Sequence, residues 1–192
     1  MNDSSFLVAR VLPESVGDDL AWLQSGQPPY DPVDPLDFLA GEEIESVYEL
    51  YKTQYSRLDP ELNVQMPEAL LEFNCWVLIV NETGAVLAFA CYKTMPHGLK
   101  LGLIASGDSK RGKDALNTLL RVGLNVPGVY GEVSGAIEHL AAGYAPEIPA
   151  EQAGRVLDKQ VEPDDDGMHY RREITNVGFK TKLLMGKPIL ND

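Results

Sequence analysis

Residues 106–123 read SGDSKRGKDALNTLLRVG, and polar chemistry is concentrated there. The β-like run LKLGLIA leads into a turn made of Ser109, Lys110, Arg111, Gly112, Lys113 and Asp114, and an amphipathic helix begins at once. A turn of this kind can hold a phosphate, because a helix N-terminus offers unpaired N–H groups and the positive end of its dipole. Basic side chains at a helix start oppose that dipole, so Lys110 and Arg111 call for a reason, and a bound anion is one. The plainer alternative is a solvated strand-to-helix turn that happens to be basic. Other chemistries find no pattern. His97 and His169 have no partners at ligand spacing, and DDDG at 164–167 supplies few of the oxygens a calcium loop requires. No Ser/His/Asp nucleophile arrangement and no GxxxxGK[ST] loop is present. No metal site is expected.

The elements that must position this turn follow from periodicity. FLVARVL at 6–12 reads as a first strand ended by Pro13, and SVGDDLAWLQSG as a helix between Ser15 and Gly26. QPPYDPVDPLDF packs four prolines and three aspartates into twelve residues, so it is extended or irregular: a linker, or an arm that lies on a partner. GEEIESVYELYKTQYSRL sets Ile44, Val47, Tyr48, Tyr51 and Tyr55 on one stripe, a helical period. PEALLEF reads as a short helix opened by Pro67. CWVLIV and AVLAFACYK flank NETG, a hairpin signal in which Gly84 takes the positive-φ position. After the helix of the turn come a strand in GVYGEVSG, a short helix in AIEHLAAGY and an insertion at about 143–168 with helix near Glu151–Lys159. The chain closes on a strand near Lys180–Met185.

The 192 residues suit one domain with a real core. No run is apolar enough to span a bilayer and the N-terminus lacks the pattern of a signal peptide, so a cytoplasmic protein is expected. The formal charge of −13 is uneven: residues 1–75 hold 15 Asp/Glu against 3 Lys/Arg, while 76–192 hold 14 against 13. The acidic part disfavours nucleic acid, whose phosphates need cations, and is compatible with a basic protein partner or with solubility alone. If NETG closes a three-residue loop at 82–84, Cys75 and Cys91 fall opposite each other, and both are expected to be reduced.

The order strand, two helices, hairpin, strand, polar turn, helix, strand, helix, strand resembles the GNAT family of acyl-CoA-dependent N-acyltransferases over roughly 6–24 and 42–187. The closing NVGFKTKLLM is similar to that family's Gly-Phe pair and final strand. The resemblance implies a single α/β domain: a twisted, mostly antiparallel sheet flanked by helices. Residues 1–26 would supply its first strand and helix, 27–41 a Pro/Asp-rich arm or linker, and 42–192 the main body. It further implies that the turn's N–H groups hold the pyrophosphate of acetyl-CoA, and that the next strand splays to admit the pantetheine arm. This chain departs from the family's turn, with Ser109 where the family has Gln or Arg and Asp114 where it has Gly or Ala. Ile174 stands where the family carries its tyrosine acid, so Tyr170 and Tyr144 are the displaced candidates.

Within that resemblance the cofactor contacts would be Ser109, Lys110, Arg111, Gly112, Lys113 and Asp114. Glu132 in VYGEVSG would be the base for an amine if it lies at the splayed strand's end. His139 is a further candidate for that role. Two functions remain open: an N-acetyltransferase with an altered pyrophosphate loop, or a GNAT-like scaffold that works by binding other proteins or copies of itself. The tail HYRREITNVGFKTKLLMGKP, with the insertion before it, also resembles small proteins of tailed bacteriophages, which would make the scaffold a virion component or a host-directed factor.

Overall fold

The computed structural model describes residues 6–17, 23, 30–58, 67–161, 171–173 and 181–192. Eight strands form one sheet in the order β2-β1-β3-β4-β5-β6-β8-β7. These are β1 (Leu7–Val11), β2 (Tyr30–Pro32), β3 (Cys75–Val80), β4 (Val86–Met95), β5 (Gly98–Ser106), β6 (Val129–Ser134), β7 (Arg171–Glu173) and β8 (Thr181–Gly186). Two pairs, β1–β3 and β5–β6, are parallel and the rest are antiparallel. The described helices are α1 (Pro35–Ala40), α2 (Glu42–Leu58), α3 (Lys110–Gly123), α4 (Gly135–Ala142) and α5 (Ala150–Leu157), with 3₁₀ turns at Pro13–Ser15 and Pro67–Glu72. This is the mixed, mostly antiparallel α/β sheet with helices on both faces that the GNAT resemblance implies.

The central strands are buried on both sides, which is why CWVLIV reads as an unbroken apolar run and not as an alternation. Alternate residues still serve different cores. Trp76, Leu78, Phe89 and Cys91 face α1 and α2, with Phe38 of α1 set against the Trp76 ring at 5.5 Å. Val77, Ile79, Ala88 and Ala90 face the Leu116, Leu119 and Leu120 stripe of α3. Helix α5, from the expected insertion, covers Tyr130 and Leu184 on the face that α2 also occupies.

The NETG hairpin closes as expected around an Asx turn. Asn81 Oδ1 accepts from Thr83 N (3.0 Å) and Ala85 N (2.9 Å), and Gly84 takes φ +82°. The register is corrected beyond it. Val80 pairs with Val86 but Ile79 pairs with Ala88, so Leu87 is a bulge residue and every position past it is displaced by one. Cys75 therefore meets Tyr92 and Cys91 meets Trp76, and the two thiols are free on opposite faces of the sheet.

The proline- and aspartate-rich stretch differs from a linker or a free arm wherever it is described. Tyr30–Pro32 pairs along β1 as an edge strand. Asp34 then caps α1 by accepting from Leu36 N (2.8 Å), with Pro35 at the first helical position. Most of the helix expected at 15–26 lies outside the described residues, as do Tyr170, Ile174 and the Gly-Phe pair at 178–179.

Candidate functional site

Strands β5 and β6 pair only at Leu99–Val129, Lys100–Tyr130 and Leu101–Gly131, then part. The fork opens at the carboxyl ends of two parallel strands, the place where open α/β sheets collect their ligands. A cavity of ≈940 Å³ fills it, within the size range of small-molecule sites. Its walls come from both faces of the sheet: Thr53, Gln54, Tyr55 and Arg57 of α2, Lys113 and Asn117 of α3, Ile137 and Leu140 of α4. Glu132 of β6 and Lys182 of β8 form its far side.

Ser109 is the N-cap of α3, its Oγ accepting from Gly112 N (3.1 Å) and its carbonyl from Lys113 N (3.1 Å). Among the described residues this leaves the N–H groups of Lys110 and Arg111 without a partner. Gly112 sits at a close approach: a Cβ there would stand 3.0 Å from the Leu87 carbonyl oxygen, at the bulge, and 3.0 Å from Ser109 Oγ. The glycine is thus explained by packing before any ligand is considered.

The basic cluster divides between two flanks of α3. Lys110, Arg111 and Asp114 lie away from the cavity, in a shallow groove beside Pro13 and Glu14. There Arg111 donates to both oxygens of Glu82 (2.6 and 2.9 Å) and to Glu14 (2.7 Å), tying the hairpin turn and the chain after β1 to the helix. Those hydrogen bonds raise its pKa above the ordinary arginine value. Lys110 donates to Asp114 Oδ2 (2.7 Å), one turn along, so Asp114 does not fill the space in front of the N-terminus. Lys113 alone of the turn's cations lines the cavity.

At the cavity mouth Arg57, from the last turn of α2, donates to both oxygens of Asp108 (3.0 and 3.1 Å), and Lys113 Nζ lies 3.7 Å from the same carboxylate. The Arg57 bonds pull the Asp108 pKa below the ordinary aspartate value. An anion docking here has to replace Asp108 as the partner of two cations. Deeper in, the mostly buried Glu132 accepts from Lys182 Nζ (3.4 Å), with Lys159 Nζ at 4.0 Å. Tyr55 lines the same cavity, and burial raises its hydroxyl pKa, keeping it neutral.

Of the residues singled out from sequence, the cavity brings together Glu132 and Lys113 and stands beside Ser109 and Gly112. Tyr144 follows α4, outside the cavity lining, its carbonyl accepting from Asn125 Nδ2 (2.6 Å). His139 is exposed on α4, away from the lining. Gln54, Tyr55, Arg57, Asp108 and Lys182 escaped sequence reasoning. The four outside the turn had no local signal, because their role depends on α2 and β8 reaching the fork. Asp108 lies within the quoted stretch 106–123, but its part depends on Arg57 of α2, which is remote in sequence. Among the described residues no three His, Cys, Asp or Glu side chains converge as a metal site requires, and no helix is long and apolar enough to cross a membrane.

No family model matches the chain, and no curated protein matches it. Among solved structures, it is similar to the ribosomal-protein-S18-alanine N-acetyltransferase from Escherichia coli. That likeness has 14% identity and a TM-score of 0.43, and covers 83% of this chain and 92% of that one.

Proposed function

We propose that this protein is an acyl-CoA-dependent N-acyltransferase whose thioester and amine meet in the β5–β6 fork. The observation that carries the reading is the fork itself: pairing stops after Leu101 and Gly131, and a cavity opens beyond, lined by Glu49, Asp108 and Glu132 and by Arg57, Lys113 and Lys182. Acetyl-CoA would supply an acyl group already activated as a thioester. Arg57, Lys113 and the free N–H groups of Lys110 and Arg111 are the groups that would hold its phosphates, with Asp108 displaced from the two cations. Glu132 takes a proton from the amine, directly or through one water, with Lys182 and Lys159 beside it. The amine nitrogen then bonds to the thioester carbonyl carbon, the C–S bond breaks, and the departing thiolate collects a proton. Tyr170, outside the described residues, is the candidate donor for that last step.

A second reading keeps the fold as a scaffold that binds other proteins, as in a phage structural or host-directed factor. It is favoured by one observation: the four cationic side chains around the turn, Arg57, Lys110, Arg111 and Lys113, already have carboxylate partners. Titration calorimetry with acetyl-CoA separates the two. Acyl transfer predicts micromolar binding, weaker by roughly tenfold or more in Lys113→Ala and Arg57→Ala. Asn117→Trp, which fills the cavity, is expected to abolish it. Arg111→Ala, on the other flank, is expected to bind as the wild type does. No binding at millimolar ligand selects the scaffold, and pull-down of a partner follows.

A further inference from the structure

Past Leu101, strand β5 presents an edge that β6 has left. A parallel neighbour would satisfy it by donating to one carbonyl and accepting from the N–H two residues further on. The side chain of Gln54 does both. Its Nε2 donates to Ile104 O (3.2 Å), and its Oε1 accepts from Ser106 N (3.0 Å). Tyr55, the next residue of α2, is hydrogen-bonded to the backbone of Ile104 as well. Two adjacent side chains of one helix thus take the place of a strand along the wall of the cavity. Leaving these backbone groups bare inside a half-closed site would be costly, which gives the arrangement its physical reason.

We propose that Gln54 is an internal competitor for the open edge of β5. In the free protein its amide holds the ladder position that β6 vacates, and a ligand that pairs along β5 binds by exchanging with it. The matching chemistry is an extended chain bearing a secondary amide, which offers the same donor and acceptor. For the identity of that ligand the inference rests on the acyl-CoA reading; for the occupancy of the edge it does not. It separates two roles that the cavity lining alone confuses. A residue that binds ligand loses affinity when truncated, whereas a competitor gains it.

The test compares wild type, Gln54→Ala and Gln54→Glu by amide hydrogen exchange in the free proteins and by acetyl-CoA titration. In Gln54→Ala the Ser106 amide is expected to exchange about tenfold faster and acetyl-CoA to bind severalfold more tightly. Gln54→Glu keeps the size and the acceptor for Ser106 N but loses the donor to Ile104 O. It is expected to move affinity the same way by less, and it serves if the alanine variant folds poorly. Unchanged Ser106 exchange in the folded alanine variant overturns the proposal whatever the ligand does. Faster exchange with weaker acetyl-CoA binding also overturns it, because Gln54 is then part of the binding site. Acetyl-CoA binding to none of the three proteins overturns the acyl-CoA reading, while faster Ser106 exchange still supports Gln54 as the occupant of the edge.

Discussion

Cys75 and Cys91 show what a single residue's surroundings do to its chemistry. Each sits deep in a different core, and desolvation disfavours the charged thiolate, pushing Cys75 up to about 11 and Cys91 well above the ordinary thiol value. The thiolate is the reactive form, so the native protein at pH 8 is expected to resist iodoacetamide, and both thiols to react once guanidinium unfolds it. Mass spectrometry of the labelled protein checks this; rapid native labelling of either would mean its strand opens readily. Both are free and buried, and that two cysteines do not make a disulfide framework was legible from their number. Their placement was not, because one bulge residue, Leu87, moves a side chain from one sheet face to the other and NETG gives no sign of it. Lys110 and Arg111 teach the converse lesson. Their types suggested an anion, and the reason they stand at a helix start is the carboxylates of Asp114, Glu82 and Glu14, the last two from elsewhere in the chain.

At the scale of elements, the turn before α3 is held from three directions: Ser109 caps it, Arg111 clamps it to the hairpin, and the Leu87 carbonyl lies against Gly112. The same carbonyl accepts from Gly107 N (2.9 Å), so the bulge in β4 and the turn after β5 form one unit. Gly112→Ala is expected to cost about 1–3 kcal/mol, since the new methyl meets backbone that cannot swing aside. Urea unfolding measures it, and a loss well under 1 kcal/mol would show that β4 and α3 separate easily. Helices and strands with clear periodicity were readable, as were the order of elements and the hairpin. The Pro/Asp-rich stretch was not, because Tyr30 and Phe38 find their places against β1 and Trp76, contacts that composition does not carry. The fork was expected from family resemblance, and no feature of the strands themselves announced that pairing would stop at Leu101.

For the molecule as a whole, ion pairs join elements far apart in the chain, and these set how it responds to acid. Arg10 takes both oxygens of Glu43 (2.6 and 2.7 Å), joining β1 to α2. Glu82, hydrogen-bonded by Arg111 and by its own backbone N–H, is lowered from 4.5 to about 2, and Asp108 is lowered by Arg57. A carboxylate whose folded pKa is depressed contributes stability that is present above its unfolded pKa and lost as pH falls toward the folded one. The melting temperature is therefore expected to decline from about pH 4.5 to pH 2. Arg111→Ala should flatten that decline, and calorimetric scans across the range check both. These groups are exposed, so salt should weaken the effect.

The position of β1 has a consequence for how the chain reaches this state. Leu7 pairs in parallel with Cys75, so β1 cannot dock until a long stretch of chain has been closed into a loop. The meander β3–β4–β5 has local connections and suffers no such delay. In refolding, protection should therefore arise first across 75–106 and later at 7–11, with β2 following β1 because, among the described residues, β1 is its one neighbour in the sheet. Until then β3 exposes a bare apolar edge, and the nascent chain is most prone to capture by another strand at that stage.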